Sequence, residues 1–135
     1  MTGWIASGRI ALAAVVFGGA TAGFAQQREF PYDGELILDV RPMPGSKRIP
    51  NMDIDAKGMI AVEMWCDRVE GQVVVAGNTI TVMTGPPAGR PCTPERAQRD
   101  AEFLETLNAV TNWRREQDVV RFIGPKSLTF RVPTN

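Results

Sequence analysis

Two cysteines set the strongest constraint on this chain, because Cys66 and Cys92 bracket its densest structural signals. The stretch from Asp55 to Thr93 holds both of them, an alternating strand ending in Met64-Trp65-Cys66-Asp67, a turn at Glu70-Gly71 and a hairpin through Gly77-Asn78. A Pro/Gly-rich loop then runs into Cys92, and the one long helix follows directly. Two cysteines in a small exported domain imply one disulfide. Closing a loop of about 27 residues would contribute on the order of 3 to 4 kcal/mol in the chain-entropy account.

Export is read from the N-terminus. Arg9 ends a short n-region, Ile10 to Phe17 is an unbroken apolar run, and Gly23-Phe24-Ala25 places small residues at −3 and −1 of a cut before Gln26. This is the pattern of a secretory signal peptide over 1–25. The apolar run falls short of the roughly 20 residues a membrane span needs, so no stable span is expected after cleavage. The expected location is periplasmic or secreted. The mature chain has about 110 residues, enough for one domain with one core. Without Arg9 it carries 14 basic and 15 acidic residues. That balance, with no Lys/Arg run longer than two, excludes nucleic acid as the expected partner.

Residues 26–34 read as a flexible tail, with Phe30 or Tyr32 available to dock, and 35–133 as the domain. Leu36, Leu38 and Val40 alternate on one strand, and Met52, Ile54 and Ala56 on a second. Ile60, Val62, Met64 and Cys66 share the inner face of a third, which leaves Met59, Ala61, Glu63 and Trp65 outward. The Gly77-Asn78 loop pairs Val75 with Ile80, Val74 with Thr81 and Val73 with Val82. Thr93 as cap and Pro94 at the first position start a helix over about 94–112. Its apolar stripe is Ala97, Ala101, Leu104 and Leu107 with Phe103 beside it; Arg96, Arg99 and Asp100 point to water. Val119–Ile123 and Leu128–Val132 close the chain as strands. The expected fold is α+β: a small antiparallel, barrel-like sheet of about seven to eight strands, with one helix before the last of them.

The chemistry is sparse. There is no histidine, which removes Ser-His-Asp and Cys-His catalysis. The cysteines are not a CxxC pair, and no nucleotide-binding or nucleophile-elbow motif is present. No catalytic residue, cofactor or metal ligand is assigned. Asp53, Asp55 and Glu63, with Asp67 and Glu70, could form an acidic patch, the basis of a minor enzymatic reading; the plainer reading is a solvated sheet face. Trp65 beside Met59 either anchors a partner or is covered by the helix or the last strands. Arg90 ends the loop Gly85–Arg90, the other candidate interaction element.

The order Gly58, Cys66, Gly71, Cys92, Glu102, Phe103-Leu104, Leu107, Val110, Trp113, Asp118-Val119, Leu128 and Phe130 resembles the META (HslJ-like) domain family. The chain departs from that pattern in reading Trp65-Cys66-Asp67 where the family has Gly-Cys-Asn, and in the long loop from Thr84 to Cys92. The resemblance implies a small mixed β-structure with one helix, exported or envelope-linked. It also implies connections with heat shock, novobiocin tolerance or parasite virulence and motility, and it brings no catalytic residues. The leading expectation is therefore a non-enzymatic envelope-stress accessory that binds an envelope protein or small ligand. The alternative is a small inhibitor of a protease or lysozyme that inserts the Gly85–Arg90 loop.

Overall fold

The computed structural model describes residues 30–134, with Gly3, 13–16 and Gly18. The expected leader falls almost wholly outside these residues, as do the cut after Ala25 and 26–29. Among the described residues, eight strands form a closed antiparallel barrel in simple chain order. They are β1 (Gly34–Leu38), β2 (Asn51–Ile54), β3 (Met59–Glu63), β4 (Arg68–Ala76), β5 (Thr79–Thr84), β6 (Asn112–Glu116), β7 (Val119–Ile123) and β8 (Leu128–Arg131). Helix α1 (Pro94–Asn108) lies between β5 and β6. The architecture is the expected one.

Alternation explains the barrel. Leu36, Met52, Val62, Val69, Val120, Phe122 and Phe130 point inward and are fully buried. Their neighbours Asp53, Gln72, Thr81, Arg114 and Arg121 are exposed. A lipid-spanning barrel has the reverse pattern, an apolar band outside; no helix among the described residues is long and apolar enough to cross a membrane. The hairpin register is as expected, with Val75 opposite Ile80 and Val73 opposite Val82. Closure comes from β1 against β8, where Leu38 faces Phe130. The weakest seam is β5 against β6, paired only at Thr79 and Asn112. Backbone bonds from Ile80 N to Thr111 O and from Trp113 N to Asn78 O, both 2.9 Å, reinforce it.

Of the two aromatics expected to be available for docking, Phe30 docks, buried against Trp113 at 5.1 Å between rings, whereas Tyr32 is exposed. Several other expectations are corrected. β1 stops at Leu38 because the chain turns there, so Val40 is exposed. Ala56 lies in the β2–β3 turn, where the Asp55 carboxylate accepts the backbone N–H of Lys57 and Met59 at 2.8 and 2.9 Å. Glu70-Gly71 is not a turn but mid-strand in β4. The glycine is needed there for another reason: a Cβ on Gly71 would sit 2.2 Å from the Met83 carbonyl oxygen. Gly71→Ala must therefore push β4 and β5 apart. We expect it to cost about 1–3 kcal/mol, read as a lower urea midpoint; an unchanged midpoint would refute the contact.

α1 begins as expected. The Thr93 side chain accepts from Arg96 N, and Pro94 and Glu95 occupy the first turn. It ends at Asn108 rather than 112, and β6 already starts at Asn112. Its buried face is Asp100, Phe103 and Leu107, while Ala97 and Ala101 are exposed. The helix is turned so that its larger side chains cover the barrel.

Candidate functional site

Residues Met64 to Asp67 form the tight connection between β3 and β4, closed by Met64 N donating to Asp67 O at 2.9 Å. The strand alternation lapses here, and consecutive residues Met64 and Trp65 are both buried. Trp65 is thus not an outward anchor. It packs edge-on against Phe103 of α1, with ring centroids 6.0 Å apart. Cys66 is half-buried and joins Cys92, as a disulfide, to the start of the helix.

The connection is held from two sides by carboxylates. Asp100 reaches from α1 and its Oδ2 accepts the backbone N–H of Asp67 at 2.8 Å and of Cys66 at 3.3 Å. Burial pushes the Asp100 carboxyl above its ordinary value, and these backbone donors pull it back in part. Asp67 takes the other side. Its Oδ1 accepts Arg68 N at 2.8 Å and its Oδ2 accepts Gly89 N at 3.1 Å, which fastens the segment leading to Cys92. The Arg68 backbone donor is the main reason its carboxyl lies below the usual range.

The Gly85–Arg90 segment is strapped along β4. Gly85 N donates to Glu70 O at 2.7 Å and Ala88 N to Arg68 O at 2.9 Å. Arg90 lies over Glu63, with Nη1 to Oε2 at 3.0 Å. Arg90 is exposed and Glu63 partly so, and pairs screened by solvent in this way contribute little. Arg90→Ala is expected to change stability by less than about 1 kcal/mol, measured by urea unfolding; a larger loss would mean that the strap depends on this pair.

The expected acidic patch forms only in part. Glu63 pairs with Arg90 and, at 3.7 Å, with Arg68. Asp55 caps a turn, and Asp53, Asp55 and Glu70 line a shallow hollow on the outside of the barrel. Among the described residues no group of three or more Cys, Asp or Glu side chains is placed to hold a metal ion.

What the fold does assemble is a cationic cleft of about 550 Å³ over the disulfide. Lys47 and Arg48 of the β1–β2 connection, Arg90 of the strap and Arg96 of the first turn of α1 meet there, with Trp65 and Cys66 in the wall. No lining residue is acidic. Arg48 is held by its Nη1 donating to Cys66 O at 3.2 Å. The two residues singled out from sequence, Trp65 and Arg90, thus share one cleft, though Trp65 enters it as part of the wall. Lys47, Arg48, Arg96 and Asp100 were not identified by sequence reasoning. One signal was present for Arg96, since a cation in the first turn opposes the helix dipole.

A family description, META domain, matches residues 31–131. Among curated proteins, none matches the chain. A protein from Burkholderia xenovorans, solved by NMR, is similar in fold at 16% identity with a TM-score of 0.64, covering 93% of this chain and 100% of that one. A second protein solved by NMR is 18% identical with a TM-score of 0.58, over 74% of this chain and 89% of that one. A DUF4847 family protein from Bacteroides vulgatus is 18% identical with a TM-score of 0.49; the match covers 61% of this chain and 57% of the other's length. At these identities the two NMR structures speak to the fold alone, while the family match extends from the residue after Phe30 to the last residue of β8, through the disulfide, the helix and the closing strands. The chain belongs to the META domain family.

Proposed function

We propose that this META domain is an exported, non-enzymatic module that acts by binding, and that the cleft over the disulfide is its binding surface. The single observation that carries this is the convergence of four cations from three separate segments on one concavity with no acidic side chain in its lining. A chain without histidine, whose cysteines are joined to each other, has few means of activating a nucleophile. The disulfide fits an oxidising compartment. An inhibitor would need a projecting segment, but Gly85–Arg90 lies along β4, so we place recognition in the cleft.

Export is tested by sequencing the N-terminus of protein recovered outside the cytoplasm, which should begin at Gln26. Binding is tested by melting the exported protein with size fractions of envelope extract, since a ligand of the native state raises the transition temperature. At least one fraction should raise it, and a Lys47→Glu/Arg96→Glu variant should not respond. If no fraction shifts the melting of the unaltered protein, the binding reading fails.

A further inference from the structure

The chemistry of the cleft points to a ligand class, on the reading that the cleft is the binding surface. We infer that it takes a small polyanion bearing two or more phosphate or carboxylate groups. The chain as a whole has equal numbers of basic and acidic residues, so the sign of this one concavity is a local choice. Two of its cations are fixed in advance, Arg48 by the Cys66 carbonyl and Arg90 by Glu63. The other two, Lys47 and Arg96, make no ion pair among the described residues. Arg96 is half-buried in the first turn of α1, where the helix dipole adds to its charge rather than offsetting it. Such an arrangement costs stability unless a negative group completes it.

Trp65 supplies a reporter in the wall of the cleft. It lines the cleft at 8% exposure, and its indole N–H finds no acceptor among the described residues. The indole of Trp113, by contrast, donates to Gly77 O at 2.8 Å. Buried donors are almost always paired; this one is closed to solvent, as is the unpaired Asp100 Oδ1, so the indole serves as a reporter in the cleft wall and does not itself contact a ligand. The hollow, about 550 Å³, is open to solvent, so a ligand there is held by charge rather than by enclosure. Lys47, Arg96 and Arg48 have no carboxylate partner among the described residues, whereas Arg90 is already offset by Glu63, so three open cations call for more than one negative charge. Phosphate and carboxylate share this chemistry through charge-assisted hydrogen bonds to guanidinium and ammonium groups.

The test is an NMR titration of the ¹⁵N-labelled, disulfide-bonded protein with pyrophosphate and, separately, with citrate. The expected result is saturable movement of the Trp65 indole N–H and of the Lys47 and Arg96 amides, with the Trp113 indole unmoved. Arg96→Gln should weaken binding about tenfold or more, the loss of one charge-assisted hydrogen bond. Arg114→Gln, on the far side of the barrel, should leave it unchanged. Saturation by pyrophosphate alone assigns phosphate, and by citrate alone carboxylate; either supports the inference. Binding by neither anion overturns it, as does binding that Arg96→Gln leaves intact. Should both anions fail while an envelope fraction still stabilises the protein through Lys47 and Arg96, the ligand class is wrong and the binding reading survives.

Discussion

Replacing both cysteines by serine is expected to lower stability by about 3 to 4 kcal/mol. The bond closes a loop spanning 26 positions and ties the β3–β4 connection to the residue before the helix cap. Without it, the strap from Gly85 to Cys92 keeps its backbone bonds to β4, the Asp67 side chain and the solvent-screened Arg90–Glu63 pair. Urea unfolding of the double variant should show a midpoint far below the parent. Alkylation of the native, unreduced protein should find no free thiol. If both cysteines alkylate without reduction, or the midpoint does not move, the staple has no role in stability.

Asp100→Ala should cost about 3 kcal/mol, because it strands one buried and one part-buried backbone N–H. Those donors, on Cys66 and Asp67, have no other acceptor in the connection they close. Asp100→Asn retains an acceptor oxygen and should cost less. The pH dependence separates charge from shape. Asp100 has a raised carboxyl pKa, so the folded protein holds a proton there that the unfolded chain has lost. Its contribution is therefore greatest below about pH 4 and declines as pH rises through the folded value. Asp67 has the opposite sign: its lowered value stabilises above the unfolded pKa and is lost as pH falls through the folded one. Urea midpoints across this range should show the parent losing ground to Asp100→Asn as pH rises. A difference independent of pH would show that burial of the charge carries no cost.

The sequence was legible wherever one physical rule acted alone. Period-two alternation gave the inward faces of β2 and β3, and the Gly77-Asn78 loop gave the β4–β5 register. It failed where the rule was interrupted. Alternation extended past Glu63 sends Trp65 outward, but the strand ends there and two neighbours turn in together. Asp100, with Arg99 before it and Glu102 two positions on, reads as a solvated position. Its partners are backbone amides 33 and 34 residues away, which have no side-chain signature. The helix face was misplaced for the same reason, since Ala97 and Ala101 match the apolar period while Asp100 holds the inner position. The cleft was invisible because its cations come from three segments with no common spacing.

Closure of the barrel has a consequence for association between molecules. An open sheet ends in rows of unpaired amides that template strand addition. Here every strand is paired on both sides, and of the exposed strand residues Met59, Val74 and Met83 only Met83 lies where that pairing lapses. The exception is β5 beyond the seam, where the Asn108 side chain caps Thr84 by accepting its N–H at 3.1 Å and donating to its hydroxyl at 2.8 Å. An incoming strand would have to displace the end of α1 first, so the helix serves as a guard against aggregation as well as a wall of the core.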